Sequence, residues 1–464
     1  MEKHLEELYC MVERRTPLVE EVLQKVWDYA ETALEEYQSS ELLKSVFMKE
    51  GFSIREKVAG LDTAFVAEWG NEGPRIGFLS EYDALPMSSQ RHASVKHEPV
   101  MGKTSGHACG HNCLGAGAMG AALALKDYLL AKGIKGTVVF YGCPAEESFG
   151  GKTVMVREGE FKDLDFCLTW HPGCYNKAIT GTAPAMISAS VEYHGIRSHA
   201  GAAPEMGRSA LDAAELAHVG INYLREHVIP QVRISYGYEN AGFPGAGIVQ
   251  DYCKVNYSIK APTAGQAESV LNRLEKIIQG ANLMTETTSE CVIKSKYADY
   301  VSNQVLTRIL HTTMTEIPEI KLSDSEKAFV HGLFKDYKED IKTSPESFFG
   351  NLGLDPHTVP SGTEFWSKTV PFVPGISMGG STDVGDVSHV TPCAQMNCTI
   401  SPIGTPAHSW QMCSCAGSSL GLKGTMFAAK VLCGTALSVI LRPELISRIR
   451  EEFNKNFKDE RSTV

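Results

Sequence analysis

The densest chemistry-bearing stretch of the chain is Gly106-His107-Ala108-Cys109-Gly110-His111-Asn112, followed later by Pro144-Ala145-Glu146-Glu147 and then by Trp170-His171-Pro172. Thiolate, imidazole and carboxylate are the ordinary ligands of a divalent transition metal. Two adjacent glutamates in one turn can divide the labour, one binding metal while its neighbour takes a proton from the attacking water. Near the C-terminus, the loop segment ISPIGTPAHSW (400–410) offers His408 to complete such a site. A structural zinc site would close with four Cys/His ligands, often as paired CxxC, and that spacing is absent. Mixed Cys/His/Glu ligation suits an open catalytic site better. Taken singly, a CxH or an EE pair reads as packing or solvated surface; the case rests on their joint placement.

That placement follows from the elements that must carry them. Arg75 to Ser80 (RIGFLS), Thr137 to Gly142 (TVVFYG) and Phe166 to Trp170 (FCLTW) each read as a buried strand, and Leu114 to Leu130 as a helix of small and apolar residues. Strands buried on both faces and separated by helices imply a parallel sheet. Glu81 and Asp83 follow the first strand, Glu146 and Glu147 the second, and His171 the third. In an open parallel sheet the carboxyl ends of the strands share one crevice, so these residues converge. Residues 1–50 read as helical, with Leu5, Leu8, Val12, Leu18, Val22, Val26 and Ala30 near a 3.6 period.

From Ala185 the texture changes to strand, helix, two strands, helix and strand, a βαββαβ pattern of roughly 110 residues. The expected fold class is therefore α/β: a mixed, largely parallel sheet flanked by helices, with an inserted α+β domain. Residues 1–184 and 298–464 form the metal-binding catalytic domain and 185–297 the insertion. Gly and Pro punctuate Ser344 to Gly380, where an irregular region is expected.

Composition sets the outer limits. With 464 residues, 43% hydrophobic and 21% charged, the chain reads as soluble and globular, and its formal charge of -11 without any long basic block argues against nucleic acid or an anionic membrane as partner. Thirteen cysteines, an odd number spread over a long chain, argue for reduced thiols or metal ligands over a disulfide scaffold. The N-terminal MEKHLEELYCMVERR lacks the apolar core of a signal peptide, and the best membrane candidate, Val431 to Leu441, is only 11 residues long, short of the roughly 20 that a spanning helix needs. A cytoplasmic enzyme is expected.

Two other motifs fail on context. Gly115-Ala-Gly117-Ala-Met-Gly120 fits GxGxxG, but no apolar strand precedes it, so close helix packing explains the glycines better. Gly375-Ile-Ser377-Met-Gly379 fits GxSxG, yet a turn-rich segment follows instead of a helix. By spacing alone, His199 in RSHAG is equally well a structural or exposed histidine, Ser381 to Asp386 reads as an Asp-rich turn, and Cys413 and Cys415 pack.

Together HACGHN, FYGCPAEE, GKTVMVREG, LTWHPG, GRSALDA, NLMTETT, STDVGDVS and GTPAHSWQ resemble the dinuclear metallopeptidase and amidohydrolase family that includes aminoacylase, carboxypeptidase G and hippurate hydrolase. Within it the chain is similar to the B-subunit branch of p-aminobenzoyl-glutamate hydrolase, over nearly its whole length. The resemblance implies that Cys109 bridges two divalent ions, Mn²⁺ or Zn²⁺, with His111, Glu147, His171 and His408 as the other protein ligands. It implies Glu146 as general acid and base, and Asp83, in EYDALP, as the carboxylate that orients a ligand. The insertion corresponds to a lid and dimerisation domain of a homodimer, whose His199 reaches the partner subunit's site to hold the oxyanion. Lys260, Gly380, Ser381, Thr382 and Asp383 are the candidate substrate contacts. Lys260 stands where relatives usually carry Arg, a point charge in place of a fork, and Gly247 where an asparagine is usual; both changes bear on recognition of a substrate carboxylate. The implied activity is metal-dependent hydrolysis of the amide bond of an N-acyl or N-aroyl amino acid, p-aminobenzoyl-glutamate-like. The rivals are a dipeptidase acting on unblocked dipeptides and a substrate-binding or assembly component that requires a related A chain.

Overall fold

The computed structural model describes residues 1–335, 337, 350, 352–354, 359–360 and 362–457. A seven-stranded sheet runs in the order Ser53–Glu56, Phe65–Trp69, Thr137–Gly142, Arg75–Ser80, Phe166–Gly173, Cys393–Thr399, Lys177–Ala178. Its four inner strands from Thr137–Gly142 to Cys393–Thr399 are mutually parallel, and antiparallel pairs lie only toward the two edges. The α/β class and the mixed, largely parallel sheet expected from the apolar runs are what the structure contains.

Side chains alternate across the sheet, so both faces must be covered. Along Thr137–Gly142, Val138 and Phe140 enter a core with Leu114, Leu123, Leu432 and Leu437, while Val139 and Tyr141 enter another with Met155, Phe161 and Val387. The first face is closed by two 22-residue helices, His111–Lys132 and Ser419–Ile440. Both are long and apolar enough to cross a membrane by length and composition, and 89% of each such window is buried inside the fold, as befits core helices. The second corrects the sequence reading, in which Lys430 bounded an 11-residue run and hid the length of the helix. Lys423 is neutralised by Glu326 at 2.5 Å, and Lys430 pairs with Glu13.

The glycines of GAGAMG bring the His111–Lys132 helix down onto the sheet. A Cβ at Gly117 would lie 2.9 Å from the Trp170 ring, and one at Gly115 would lie 2.8 Å from the Glu81 carbonyl oxygen. The N-terminus of the helix is thereby held at the carboxyl ends of the parallel strands. The helical start of the chain is three helices, Glu2–Arg14, Thr16–Tyr29 and Tyr37–Lys49.

Residues 185–297 follow the expected βαββαβ order. Their four antiparallel strands are arranged Arg233–Asn240, Tyr252–Ala261, Ala185–His194, Thr288–Tyr297, with the helices Ala210–Leu224 and Ala264–Thr285 packed over a separate apolar cluster that includes Ile187, Val191, Val255 and Leu274. Ser209 and Thr263 cap the two helices, accepting from the Asp212 and Gln266 amides. The last strand ends against the other unit, where the Tyr297 hydroxyl donates to the Glu146 carbonyl oxygen at 2.9 Å. Of the irregular region expected from Ser344 to Gly380, residues 344–349, 351, 355–358 and 361 lie outside the described residues. From 362 to 380 the chain consists of turns and bends with one isolated bridge, Thr369 to Asn176.

Candidate metal centre

Cys109 and His111 flank Gly110, whose φ of 81° turns the chain into the His111–Lys132 helix. A Cβ there would meet Pro172 at 2.9 Å, so the glycine lets this turn lie against the end of the His171 strand. Glu146 and Glu147 follow Ala145, a left-handed residue with φ 59°. Glu36, fully buried, fixes that turn by accepting from the Ala145 amide and the Thr63 hydroxyl, each at 2.9 Å. Burial, with Asp83 nearby, pushes the Glu36 carboxyl up to about 7. His408, on its loop with φ 59°, is tethered by its amide to the Ala108 carbonyl at 3.0 Å.

These pieces assemble two donor groups with one atom in common. The ligand atoms of Cys109, His111 and His171 lie within 4.8 Å of one another, and so do those of Cys109, Glu147 and His408. Cys109 Sγ is 3.3 Å from His171 Nε2, and Glu147 Oε2 is 3.4 Å from His408 Nε2. The tautomers suit ligation. His171 Nδ1 donates to the Pro172 carbonyl and His111 Nδ1 to Asp83 Oδ1, both at 2.8 Å, which turns each Nε2 toward the cluster. Asp83 also accepts the Glu147 amide at 2.9 Å, so one buried carboxylate orients two candidate ligands.

His111 Nε2, Glu147 Oε1 and Glu81 Oε2 are buried without any hydrogen-bond partner. Several lone pairs facing one another away from water are costly unless a cation is shared among them. The residues therefore fit a pair of divalent ions in both geometry and donor chemistry. Burial, reinforced by Glu147, raises the Cys109 thiol, and its proton has to leave before the sulfur can ligate. Glu146 stands beside the cluster, its carboxylate within 4.8 Å of ligand atoms of Glu81 and His111. Burial and the charges of Glu81 and Asp383 push its proton affinity up, the direction a proton acceptor needs.

The family model for peptidase family M20/M25/M40 matches residues 77–328, more than half of the chain. The chain belongs to this family. Among relatives, the B-subunit of p-aminobenzoyl-glutamate hydrolase from Escherichia coli (strain K12) is 35% identical over 437 residues, covering 93% of this chain and 91% of its own length. The Xaa-Arg dipeptidase of Mus musculus is 32% identical over 452 residues, covering 94% and 88%. A solved Bacillus subtilis protein, YXEP, described as a dinuclear metal-binding peptidase of the M20 family, shares the fold with a TM-score of 0.55 at 14% identity, over 90% of this chain and 99% of its own. This M20 chain is accordingly a metal-dependent hydrolase of amide or peptide bonds.

The remaining candidates of the M20 chain stand elsewhere. His199 is exposed on the two-residue strand Ser198–His199 in the inserted unit, and Lys260 lies in the second sheet between Met186 and Arg233. Neither makes a hydrogen bond or ion pair with the cluster among the described residues. Gly380 faces open space, Ser381 Oγ is buried without a partner, and Thr382 Oγ1 accepts from the Val384 amide. Asp383 is fully buried and turned inward, accepting from Lys152 Nζ at 2.6 Å and from the Lys152 amide at 2.9 Å. Its carboxylate is engaged by protein rather than presented to a substrate.

Lys152 is what the motifs did not single out, and Glu81, expected to converge on the crevice, was given no role there. Lys152 is fully buried, with Nζ 2.5 Å from Glu81 Oε1 as well as bonded to Asp383. Burial favours the neutral acid at Glu81, but Lys152, His111 and His171 outweigh it and hold the group below the usual carboxylate range. The signal available in sequence was the pairing of EYD after one strand with GGKT and STDVGD, visible only once the fold brings these segments together.

Proposed function

We propose that the chain hydrolyses the amide bond of an N-acyl or N-aroyl amino acid, p-aminobenzoyl-glutamate-like. The observation that carries the reading is the pair of donor groups sharing the Cys109 sulfur with Glu146 beside them. Cys109, His111, Glu147, His171 and His408 would hold two ions, which when bound polarise the scissile carbonyl and acidify the attacking water. Thiolate donors favour Zn²⁺, while imidazole and carboxylate also accept Mn²⁺. Glu146 takes the proton of the attacking water and returns it to the departing nitrogen. His199 supplies the oxyanion contact: its Nδ1 accepts from the Gly201 and Ala202 amides at 3.1 Å, so the neutral ring carries its proton on Nε2 as a donor. Such a donor is worth about 3 kcal/mol in the transition state.

His199 is exposed within its own chain, which supports a homodimer in which it reaches the partner subunit's centre. Tyr223, Val219 and Val292 give the inserted unit exposed apolar surface for that contact. Lys260 is proposed to meet the substrate carboxylate. The name of the Escherichia coli relative supports the N-aroyl substrate and raises a related A chain as partner. A reducing, cytoplasmic setting suits thirteen unpaired cysteines. The Xaa-Arg dipeptidase relative favours a second reading, cleavage of unblocked dipeptides by the same residues.

The test is hydrolysis of a panel of N-acyl and N-aroyl amino acids and free dipeptides by protein loaded with Mn²⁺ or Zn²⁺. Turnover confined to the blocked compounds supports the first reading, and turnover confined to free dipeptides the second. Activity that requires an added A-type chain makes this one component of a larger enzyme. E146Q is expected to lose about 10²–10⁴-fold in kcat while retaining its metal; near-native turnover overturns the role of Glu146.

A further inference from the structure

We infer that Glu81 is a further protein ligand of the metal centre, on its His111 side, held in place by Lys152; the inference rests on the two-ion reading above. Glu81 leaves the end of the Arg75–Ser80 strand and is only 2% exposed. Its two oxygens have different surroundings. Oε1 takes the Lys152 ammonium at 2.5 Å, whereas Oε2 has no hydrogen-bond partner and lies 3.2 Å from His111 Nε2.

The protonation pattern around His111 makes that contact informative. The Nδ1 proton of His111 is committed to Asp83 Oδ1, and the other Asp83 oxygen is taken by the Glu147 amide. His111 therefore turns only Nε2 toward Glu81 Oε2, and the two atoms, 3.2 Å apart and out of water, are placed to share a single cation between them. Glu81, His111 and Glu146 bring their ligand atoms within 4.8 Å of one another, and the first group places Cys109 and His171 about His111 as well.

Charge points the same way. Lys152 supplies one positive charge to two fully buried carboxylates, Glu81 and Asp383, leaving the trio with one uncompensated negative charge. A neighbouring ion balances it. Lys152 acts here as a positioning residue: by occupying Oε1 it leaves Glu81 one free oxygen.

The centre is then unequal. Cys109, His111 and Glu81, all buried, and the part-buried His171 serve one ion. Cys109, Glu147 and His408 serve the other, and the His408 side chain is 54% exposed. The first ion binds tightly and the second exchanges.

Anaerobic titration of metal-free protein with Co²⁺, followed by absorption, tests this. Wild type is expected to take up two ions in separable steps, with a thiolate-to-cobalt charge-transfer band from Cys109. E81Q keeps the Lys152–Asp383 pair, and its fold is checked by far-UV circular dichroism. It is expected to weaken the tighter step roughly 100-fold, to alter the d–d bands and to retain the charge-transfer band. E81D preserves the charge but draws the oxygen back by one methylene, and is expected to behave like E81Q. Unchanged affinities and spectra in E81Q overturn the inference, as does an E81D protein that binds like wild type, which would mean the carboxylate acts through charge alone. Wild-type protein that takes up fewer than two ions overturns the two-ion reading itself, an outcome distinct from failure of Glu81 alone.

Discussion

Lys152→Met removes the only cation from a buried trio and leaves Glu81 and Asp383 facing the interior, 2% and 0% exposed. Breaking a buried pair from one side costs about 3–5 kcal/mol, because the surviving charges keep their desolvation penalty without compensation. A ceiling follows from protonation: neutralising a carboxyl of ordinary pKa near 4 at pH 7 costs about 4 kcal/mol, so each group escapes by taking a proton rather than paying more. Asp383 also retains the Lys152 backbone amide, which a methionine still provides. The expected loss is therefore about 3–5 kcal/mol at pH 7. In the variant both folded-state pKa values lie above their unfolded values. The deficit is full above the folded values and shrinks as the pH falls toward the unfolded ones, to roughly 1–2 kcal/mol near pH 5. Urea unfolding of metal-free protein followed by tryptophan fluorescence reads it out, since Trp27, Trp69, Trp170, Trp366 and Trp410 all lie outside residues 185–297. A K152M protein within 1 kcal/mol of wild type at pH 7, or a deficit that grows on acidification, refutes the reasoning.

The shared sulfur makes a second prediction: C109S weakens both steps of metal uptake, whereas H408A weakens one, as measured by metal content after gel filtration at graded metal concentrations. A C109S protein with one step at wild-type affinity contradicts the bridging role. Metal uptake also depends on pH. Burial raises the Cys109 thiol, which holds its proton in the metal-free protein. That proton must be expelled when the sulfur ligates, and affinity should fall about tenfold per proton displaced for each pH unit of acidification. Calorimetry in buffers of different ionisation enthalpy counts the released protons; affinity independent of pH between 6 and 8 contradicts the assignment.

The ligand candidates were legible because their chemistry is local: a Cys, three His and two Glu at the ends of apolar runs are unusual wherever the runs become strands. The sheet was legible for the same reason, since strands buried on two faces lose their polar alternation. Lys152 was not, because a lysine opening a short helix after two glycines looks like a solvated helix residue until Glu81 and Asp383 arrive from segments far away in sequence. Glu36 was hidden in the same way within an amphipathic helical start, although it pins the turn that aims Glu146. The Ser419–Ile440 helix was underestimated because its two lysines reach acidic partners at its rim instead of marking an end. His199 and Lys260 came from resemblance, and the packing within one chain leaves both outside the cluster.

What the buried charges share is a division between holding and reacting. Glu36 fixes the strained Ala145 turn, Asp83 fixes His111 and the Glu147 amide, and Lys152 fixes Glu81. None of the three needs to meet substrate, and each is buried where solvent does not screen it. The side-chain atoms left without a partner, His111 Nε2, Glu147 Oε1 and Glu81 Oε2, are therefore held in place before any ion arrives, so little ordering entropy is lost on binding. His408 is the exception, half in solvent on a left-handed loop residue. A centre closed on the His111 side and open on the His408 side can keep its metal while it admits, turns over and releases an amide.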